Sequence, residues 1–280
     1  MANPSPMALR AALGSRRASF QYCILHFAFC VLTWFSIALV AVPATAQSPH
    51  GTSTPAPPTD PGLSFVVQLI SVGPAEKEQN RECAATGFLI DEEGYLITNA
   101  HVVEDARRCL EKAPGAKILA RLTSNGSRTA QAVPCDLIGI DAPNDLALLK
   151  TERPLLRNPG DKPPYALLDG RAVPVGTAVM VTGYPAFSWQ PVTQAGHVTW
   201  RGRTRLAETD DPLPNPSDAL MMDIHLRPGN SGSPVVRSGG GVIGVIDKRD
   251  SLRPAYSIAV AIHYALELAD RYGARWYGID

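Results

Sequence analysis

Short runs of apolar and β-branched residues, separated by turn residues, recur along the chain from about Leu63 onward. Runs of this kind, bounded by Gly, Pro, Asn and Asp, are typical of β-strands. They predict strands at 65–70, 86–90, 95–98, 117–122, 133–140, 145–150, 178–182, 194–201, 219–225, 234–236, 241–246 and 256–262. Short helices are predicted at 104–112 and at 262–272, and the second of these ends at Gly273.

A proline-rich break at 153–164 divides the predicted strands into two groups, and no repeat of fixed period is visible. Many short strands in two groups predict an all-β fold, built as two packed barrels or as a sandwich. We therefore expect one ordered domain at 63–280. Its N-terminal barrel would cover about 63–152, and its C-terminal barrel and short helix about 165–273.

The first 46 residues have the layout of a secretory signal peptide. Three arginines precede an apolar run at 20–42, and the small-x-small sequence Ala44-Thr45-Ala46 follows it. The apolar run is long enough to span a bilayer, so an uncleaved anchor is the alternative. A polar, proline-rich linker follows at 47–62. In either case we expect an exported protein, periplasmic or secreted, with contact to a membrane only if the N-terminal segment is retained.

Charge and cysteine content exclude some classes of function. Three of the 26 basic residues and none of the 26 acidic residues lie in 1–46, so the remainder has a net charge of −3. Without a basic surplus we expect no nucleic-acid partner. Neither a Cys-x-x-Cys motif nor a His-Cys cluster is present, so we expect no metal site and no cofactor.

Three cysteines remain beyond the apolar N-terminal run, and an oxidising compartment favours one disulfide and one free thiol. Cys83–Cys109 is the preferred pair, because it would join the strand before His101 to the helix after it. Cys109–Cys135 is the alternative, and the sequence alone does not decide between them.

His101 is a candidate general base, since it follows a predicted strand and precedes a short helix, where a side chain is held rigidly. Asp145 opens a predicted strand and is a candidate for the acid that fixes the histidine tautomer. Asp141 competes with it, but lies in what reads as an exposed turn. A lone histidine at a strand end is more often structural, so the case depends on a third group.

That group is a serine between glycines, in Gly229-Asn230-Ser231-Gly232-Ser233-Pro234. Small neighbours let a substrate carbonyl approach the hydroxyl and leave backbone N–H groups free for an oxyanion. An alcohol needs a base to accept its proton, and the imidazolium that forms needs a fixed carboxylate. The chain order His101, Asp145, Ser231 excludes an α/β-hydrolase, in which the serine comes first.

These residues lie in three segments that resemble the three motifs of trypsin-like serine proteases, and they are most similar to the bacterial HtrA/Deg branch. The segments are 98–103 (TNAHVV), 145–150 (DLALLK) and 229–234 (GNSGSP). The resemblance covers about 63–272 and implies two six-stranded antiparallel barrels with the site in the cleft between them. It implies that His101 is the base, Asp145 its orienting acid and Ser231 the nucleophile.

The same resemblance implies an oxyanion hole formed by the N–H groups of Gly229 and Ser231. Ser233 departs from the family's usual second glycine and resembles the glutamyl endopeptidases instead. No segment that would be the new N-terminus of an activated zymogen is visible, and little sequence follows the last matching strand, so we expect no PDZ domain.

His225, six residues before Ser231, falls where the resemblance places the floor of the S1 pocket, the pocket for the residue before the cleaved bond (P1). It could bind an acidic P1 residue, or only line a strand. Ile246 stands where the glutamyl endopeptidases carry a pocket histidine, so small or medium aliphatic P1 residues are preferred. We expect an exported serine endopeptidase acting on proteins or peptides. The alternative is a protease-fold binding or chaperone-like module, and the oligomeric state stays open.

Overall fold

The structure is a computed structural model that describes residues 63–72, 79–111, 117–122, 132–156, 160–185, 188–205, 216–249 and 255–279. The expected signal peptide and linker lie outside these residues, and so do the side chains of Cys83 and Cys109. The Cys83–Cys109 disulfide therefore stays a prediction, and Cys135 is present as a free thiol. Among the described helices, none is long and apolar enough to cross a membrane.

The first barrel contains six antiparallel strands. They are β1 (Val66–Val72), β2 (Gln79–Leu89), β3 (Tyr95–Thr98), β4 (Lys117–Arg121), β5 (Ala132–Asp141) and β6 (Leu146–Thr151). Helix α1 (Ala100–Glu111) follows β3, and 3-10 turns lie at Leu63–Phe65 and Ala142–Asn144. The strands are ordered β1-β2-β3-β6-β5-β4, and pairing of β1 with β4 closes the barrel.

The second barrel follows after the short strand β7 (Leu167–Leu168). Its strands are β8 (Ala178–Gly183), β9 (Val192–Thr204), β10 (Ser217–Met222), β11 (Pro234–Arg237), β12 (Gly241–Arg249) and β13 (Ser257–Ala261). Helix α2 (His263–Arg271) and strand β14 (Tyr277–Gly278) complete the chain. The sheet is ordered β11-β8-β9-β10-β13-β12, and β11 pairs with β12 to close a six-stranded barrel. Strand β7 pairs in parallel with β12 and β14.

The predicted all-β fold of two six-stranded antiparallel barrels with a short C-terminal helix is confirmed. The two-residue strands β7 and β14 are too short to show periodicity and were not predicted. Helix α1 begins at Ala100, four residues earlier than expected, so His101 lies in its first turn. The β-branched pair Val102-Val103 concealed this start, since such residues favour strands.

The core connects the two barrels. Strand β6 is buried on both faces at Leu146, Ala147, Leu148 and Leu149. One apolar cluster continues from this strand to helix α2 and to one wall of the second barrel, and a separate cluster fills that barrel's interior. Burial of these apolar side chains drives the packing of one barrel against the other. The loops that meet between the barrels are therefore held in place.

The β2–β3 hairpin that leads to His101 is fixed by Asp91. One carboxylate oxygen, Oδ1, accepts hydrogen bonds from the main-chain N–H groups of Glu93, Gly94 and Tyr95 at 2.9–3.1 Å. Gly94 has φ 95°, a conformation that favours glycine. The three hydrogen bonds to one carboxylate make this turn rigid. Strand β3, which follows the turn and leads to His101, is therefore held in a fixed position.

Candidate active site

The structure brings His101 and Asp145 together at one end of the first barrel. His101 Nδ1 lies 2.6 Å from Asp145 Oδ2, and the main-chain N–H of His101 donates to Asp145 Oδ1 at 2.9 Å. The Asp145 side chain is 5% exposed, whereas the His101 side chain is 39% exposed. A buried carboxylate thus holds one ring nitrogen of His101 and leaves the imidazole open to the cleft.

The local backbone explains this placement of Asp145. The 3-10 turn Ala142–Asn144 ends at Asp145, which has φ 50° and ψ 44°. Aspartate tolerates this left-handed conformation better than most residues. The carbonyl oxygen of Asp145 accepts hydrogen bonds from Ala100 N at 3.1 Å and Asn99 Nδ2 at 3.0 Å. The main-chain carbonyl and the carboxylate of Asp145 therefore both bind the start of α1 to the start of β6.

The environment of His101 favours its charged form. Burial alone would lower the pKa of His101. The hydrogen bond and charge of Asp145, with a smaller contribution from the charge of Asp105, outweigh burial and raise this pKa above its usual value. An imidazolium formed during a reaction would be stabilised here.

Asp141, the competing acid of the sequence analysis, is used elsewhere. Its Oδ2 accepts a hydrogen bond from Asn144 Nδ2 at 2.9 Å within the 3-10 turn. The prediction that it lies in an exposed turn is wrong, since Asp141 is 7% exposed. It supports the turn that presents Asp145.

The Ser231 loop belongs to the second barrel and has a β-turn at Arg227–Asn230. Asn230 N donates to Arg227 O at 3.2 Å, and Gly229 has φ 97°. Proline followed by a glycine of positive φ is the pattern of a type II turn, with Pro228 and Gly229 as its central residues. Among the described residues, no hydrogen bond within the protein takes up the N–H groups of Gly229 and Ser231. Two donors are thus available beside the serine hydroxyl.

Thr86 of strand β2 joins the first barrel to this loop and is fully buried. Its N–H donates to Ser231 O at 3.0 Å, and its hydroxyl donates to Gly229 O at 2.7 Å. The same hydroxyl accepts from Tyr184 N at 3.0 Å. This role of Thr86 was not predicted, since the sequence shows only its place in a strand.

Ser231 and the His101–Asp145 pair meet at Asp247. The hydroxyl of Ser231 donates to the main-chain carbonyl of Asp247 at 3.3 Å. Single ligand atoms of His101, Asp145 and Asp247 all lie within 4.8 Å of one another. In the sequence, the only sign of Asp247 is a single acid after the apolar run 241–246, which did not mark it as part of the site.

Three such groups could in principle hold a cation. Here, however, His101 Nδ1 and both carboxylate oxygens of Asp145 are already hydrogen-bonded to each other or to the main chain. The His101–Asp145 pair is therefore already satisfied by its own hydrogen bonds, with the Asp247 carboxylate beside it, and we assign no metal ligand.

His225 lies beyond the end of β10, not within a strand as predicted. It is exposed, and its carbonyl oxygen accepts a hydrogen bond from Gln194 Nε2 at 2.8 Å. Ile246 is buried within the core of the second barrel. The role of His225 in substrate selection stays a prediction.

Two barrels with a His–Asp pair in one and a serine loop in the other define the chymotrypsin-like class of folds. The family model for the trypsin-like peptidase domain matches residues 85–245, more than half of the chain. The chain therefore belongs to the trypsin-like peptidase family.

Curated relatives agree with this assignment. A probable periplasmic serine endoprotease, DegP-like, from Pseudomonas fulva is 30% identical over 216 residues, which cover 74% of this chain and 40% of the relative. The DegP-like protein of Halomonas elongata is 30% identical over 196 residues, 69% of this chain and 36% of the relative. The chain thus spans about two fifths of the length of these relatives.

Solved structures show the same fold. The Rv3671c protease from M. tuberculosis, in its active form, superposes with a TM-score of 0.60 at 19% identity, covering 86% of this chain and 96% of that one. The HtrA-type protease AlgW, with a tripeptide, gives a TM-score of 0.54 at 24% identity, covering 74% and 59%.

Proposed function

We propose that this protein is a serine endopeptidase that hydrolyses peptide bonds through an acyl-enzyme, with His101, Asp145 and Ser231 as its catalytic triad. The observation that carries the proposal is the 2.6 Å contact between His101 Nδ1 and a buried Asp145 carboxylate. This contact sits beside a serine loop with two available N–H donors. Names of relatives, all probable periplasmic serine endoproteases, support the same activity and an exported location.

The chemistry follows from the positions of the groups. Asp145 keeps the proton of the neutral imidazole on Nδ1, so Nε2 is the atom that can accept a proton from Ser231. The Ser231 oxygen then attacks the substrate carbonyl, and the N–H groups of Gly229 and Ser231 donate to the oxyanion. The imidazolium returns its proton to the leaving amine, and water repeats the sequence to release the acyl group.

One step must precede attack. The Ser231 hydroxyl donates to the carbonyl of Asp247 in the structure, and it has to rotate towards His101 Nε2 before it can react. A bound substrate whose N–H donates to the same carbonyl would favour that rotation, because it would compete for the acceptor.

A fluorophosphonate probe tests the proposal, because it reacts only with an activated serine. We expect the wild-type protein to be labelled and Ser231→Ala to be unlabelled. Ser238→Ala removes an exposed serine from the same barrel and is the matched control, so its labelling should equal that of the wild type. Labelling that persists in Ser231→Ala would contradict the assignment of the nucleophile.

The alternative function is a binding module with the protease fold, and the bond from Ser231 to Asp247 O is the observation that favours it. Casein digestion by folded protein separates the two functions. Degradation that is lost in Ser231→Ala supports the endopeptidase, whereas binding of casein without cleavage supports the module.

Substrate choice is part of the same proposal. We propose small or medium aliphatic P1 residues, with an acidic P1 residue bound by His225 as the competing hypothesis. Cleavage of a peptide library by the wild type and by His225→Leu decides between them. An aliphatic P1 preference shared by both proteins supports the first, and an acidic preference lost in the variant supports the second.

A further inference from the structure

Asp247 is a buried acid for which the proposed chemistry has no use. It lies in strand β12 between Ile246 and Lys248 and is 4% exposed. Within the described part of the chain, its Oδ2 has no hydrogen-bond partner. The Nζ atom of Lys248 is 3.7 Å from Oδ2, which is beyond hydrogen-bonding distance, and the Lys248 side chain is 40% exposed. A buried carboxylate oxygen without a hydrogen-bond partner is costly, so a proton is the simplest compensation.

The neighbour of Asp247 is the acid of the proposed triad. An oxygen of Asp247 lies within 4.8 Å of an oxygen of Asp145 and of a ring nitrogen of His101. Two buried carboxylates this close cannot both ionise without strong repulsion. Asp145 accepts two N–H donors from His101, which stabilise its charge. The charge therefore belongs to Asp145, and the proton to Asp247.

We propose that Asp247 is a positioning residue that acts as a carboxylic acid, donating a hydrogen bond to the carboxylate of Asp145. This inference rests on the proposed function, because it assigns Asp145 to a working triad. The donated bond is a third one to Asp145, besides those from the main chain and ring of His101. It holds the Asp145 carboxylate in the plane that keeps His101 Nδ1 protonated.

The charges around Asp247 agree with this assignment. Burial is the main cause that raises the pKa of Asp247, to about 8, and the charge of Asp145 and its hydrogen bond with Asp247 add to it. Lys248, on the same strand, and His101, on α1, act in the opposite direction. The acid is therefore protonated at neutral pH, and it loses its proton in mildly alkaline solution.

Loss of that proton has a consequence for activity. The donor to Asp145 becomes a second negative charge, so the bond is replaced by repulsion between two carboxylates. Asp145 then no longer holds His101 in one orientation. We expect the reactivity of Ser231 to fall as pH rises through about 8, on top of the rise that accompanies deprotonation of His101 at lower pH.

The experiment follows the rate of fluorophosphonate labelling from about pH 5 to pH 10. For the wild type we expect a rise at acidic pH and a decline of about tenfold with a midpoint near 8. Asp247→Asn keeps an N–H donor towards Asp145 but cannot titrate. It should label about threefold more slowly at neutral pH and should show no alkaline decline.

Asp247→Leu removes the donor while filling similar space, and it should label about thirtyfold more slowly at every pH. If Asp247→Asn declines at the same alkaline midpoint as the wild type, the inference is overturned. It is also overturned if Asp247→Asn loses as much reactivity as Asp247→Leu, because the donated bond would then not be the relevant property.

A second measurement needs no reactivity and separates this inference from the proposed function. Carbon-13 NMR of aspartate-labelled Ser231→Ala protein should show one carboxyl resonance that titrates near pH 8 and is absent from Asp247→Asn. A resonance of Asp247 that titrates below about pH 5 would overturn the inference. If the wild type is not labelled at any pH, the proposed function fails, and the NMR titration still decides the protonation of Asp247.

Discussion

The two barrels contribute to the site in different ways. The first barrel presents His101 and Asp145 as a finished pair, held by three bonds to the carboxylate and carbonyl of Asp145 from residues 99–101 and by the ring contact itself. The second barrel presents Ser231 on a loop whose shape depends on glycines of positive φ and on Thr86 of the other barrel. The His101–Asp145 pair is therefore formed within the first barrel alone, whereas the Ser231 loop of the second barrel needs a residue of the first.

The most severe test of the finished pair is Asp145→Asn. An amide NH₂ facing His101 Nδ1 would force the proton to Nε2, the atom that must accept the serine proton. We expect fluorophosphonate labelling to fall by about 10⁴-fold, since this change of tautomer is worth about that much in a Ser-His-Asp site.

Asp141→Asn is the matched control for that variant, because it alters a buried acid four residues away in the same turn. Labelling should change by less than about threefold. Equal losses in the two variants would mean that the turn, and not the charge of Asp145, is what the site needs.

The dependence of the second barrel on its neighbour is tested by Gly232→Ala. Gly232 has φ 81°, and a methyl group there would lie 2.0 Å from Thr86 O and 2.4 Å from Thr98 Oγ1. We expect labelling to fall about 100-fold and the free energy of unfolding to fall by about 2–4 kcal/mol, from overpacking and backbone strain together.

Gly239→Ala provides the comparison. Gly239 has φ 106°, but a methyl group there meets nothing within 4 Å. Gly239→Ala should lower the free energy of unfolding only through backbone strain, by about 1–2 kcal/mol, and should leave labelling unchanged. If both variants lose reactivity equally, contact with the first barrel does not shape the serine loop.

Asp247, where the barrels meet, makes the stability of the folded protein depend on pH. Its raised pKa means that the folded protein keeps this proton up to about pH 8, while the unfolded chain loses it near 3.8. The unfolded state binds fewer protons between these values, so this group's contribution to stability falls as pH rises. The slope approaches about 1.4 kcal/mol per pH unit.

Asp247→Asn cannot titrate, so its stability relative to the wild type should increase across that range and level off above about pH 8. Urea unfolding in a Ser231→Ala background, which prevents self-cleavage, measures the difference. A difference that does not change with pH would show that Asp247 is ionised in the folded protein.

The sequence was most informative where local pattern and chemistry coincide. The strand–His101–helix junction, the strand after Asp145 and the glycine-rich loop at Ser231 were all visible as short segments, and the resemblance of these segments implied the barrels. Asp247 and Thr86 were not found, because their roles depend on which strands lie side by side. A single acid or threonine in a strand carries no sign of its neighbour across the barrel.

Helix α1 shows a second limit. Its first turn contains Val102-Val103, whose intrinsic preference favours a strand, yet Ala100 N and His101 N both donate to Asp145. Those bonds satisfy the first donors of the helix from a residue 44 or 45 positions away in sequence. No local pattern could reveal them, and the predicted helix began too late for that reason.

The position of Thr86 has a consequence for when the protein can become active. The carbonyls of Gly229 and Ser231 both receive their hydrogen bonds from this one residue of the opposite barrel. A C-terminal barrel that folded first would contain Ser231 but would lack the two hydrogen bonds from Thr86 that fix the serine loop. We therefore expect the serine loop to reach this shape only after both barrels have folded and packed together, so the site is the last part of the domain to form.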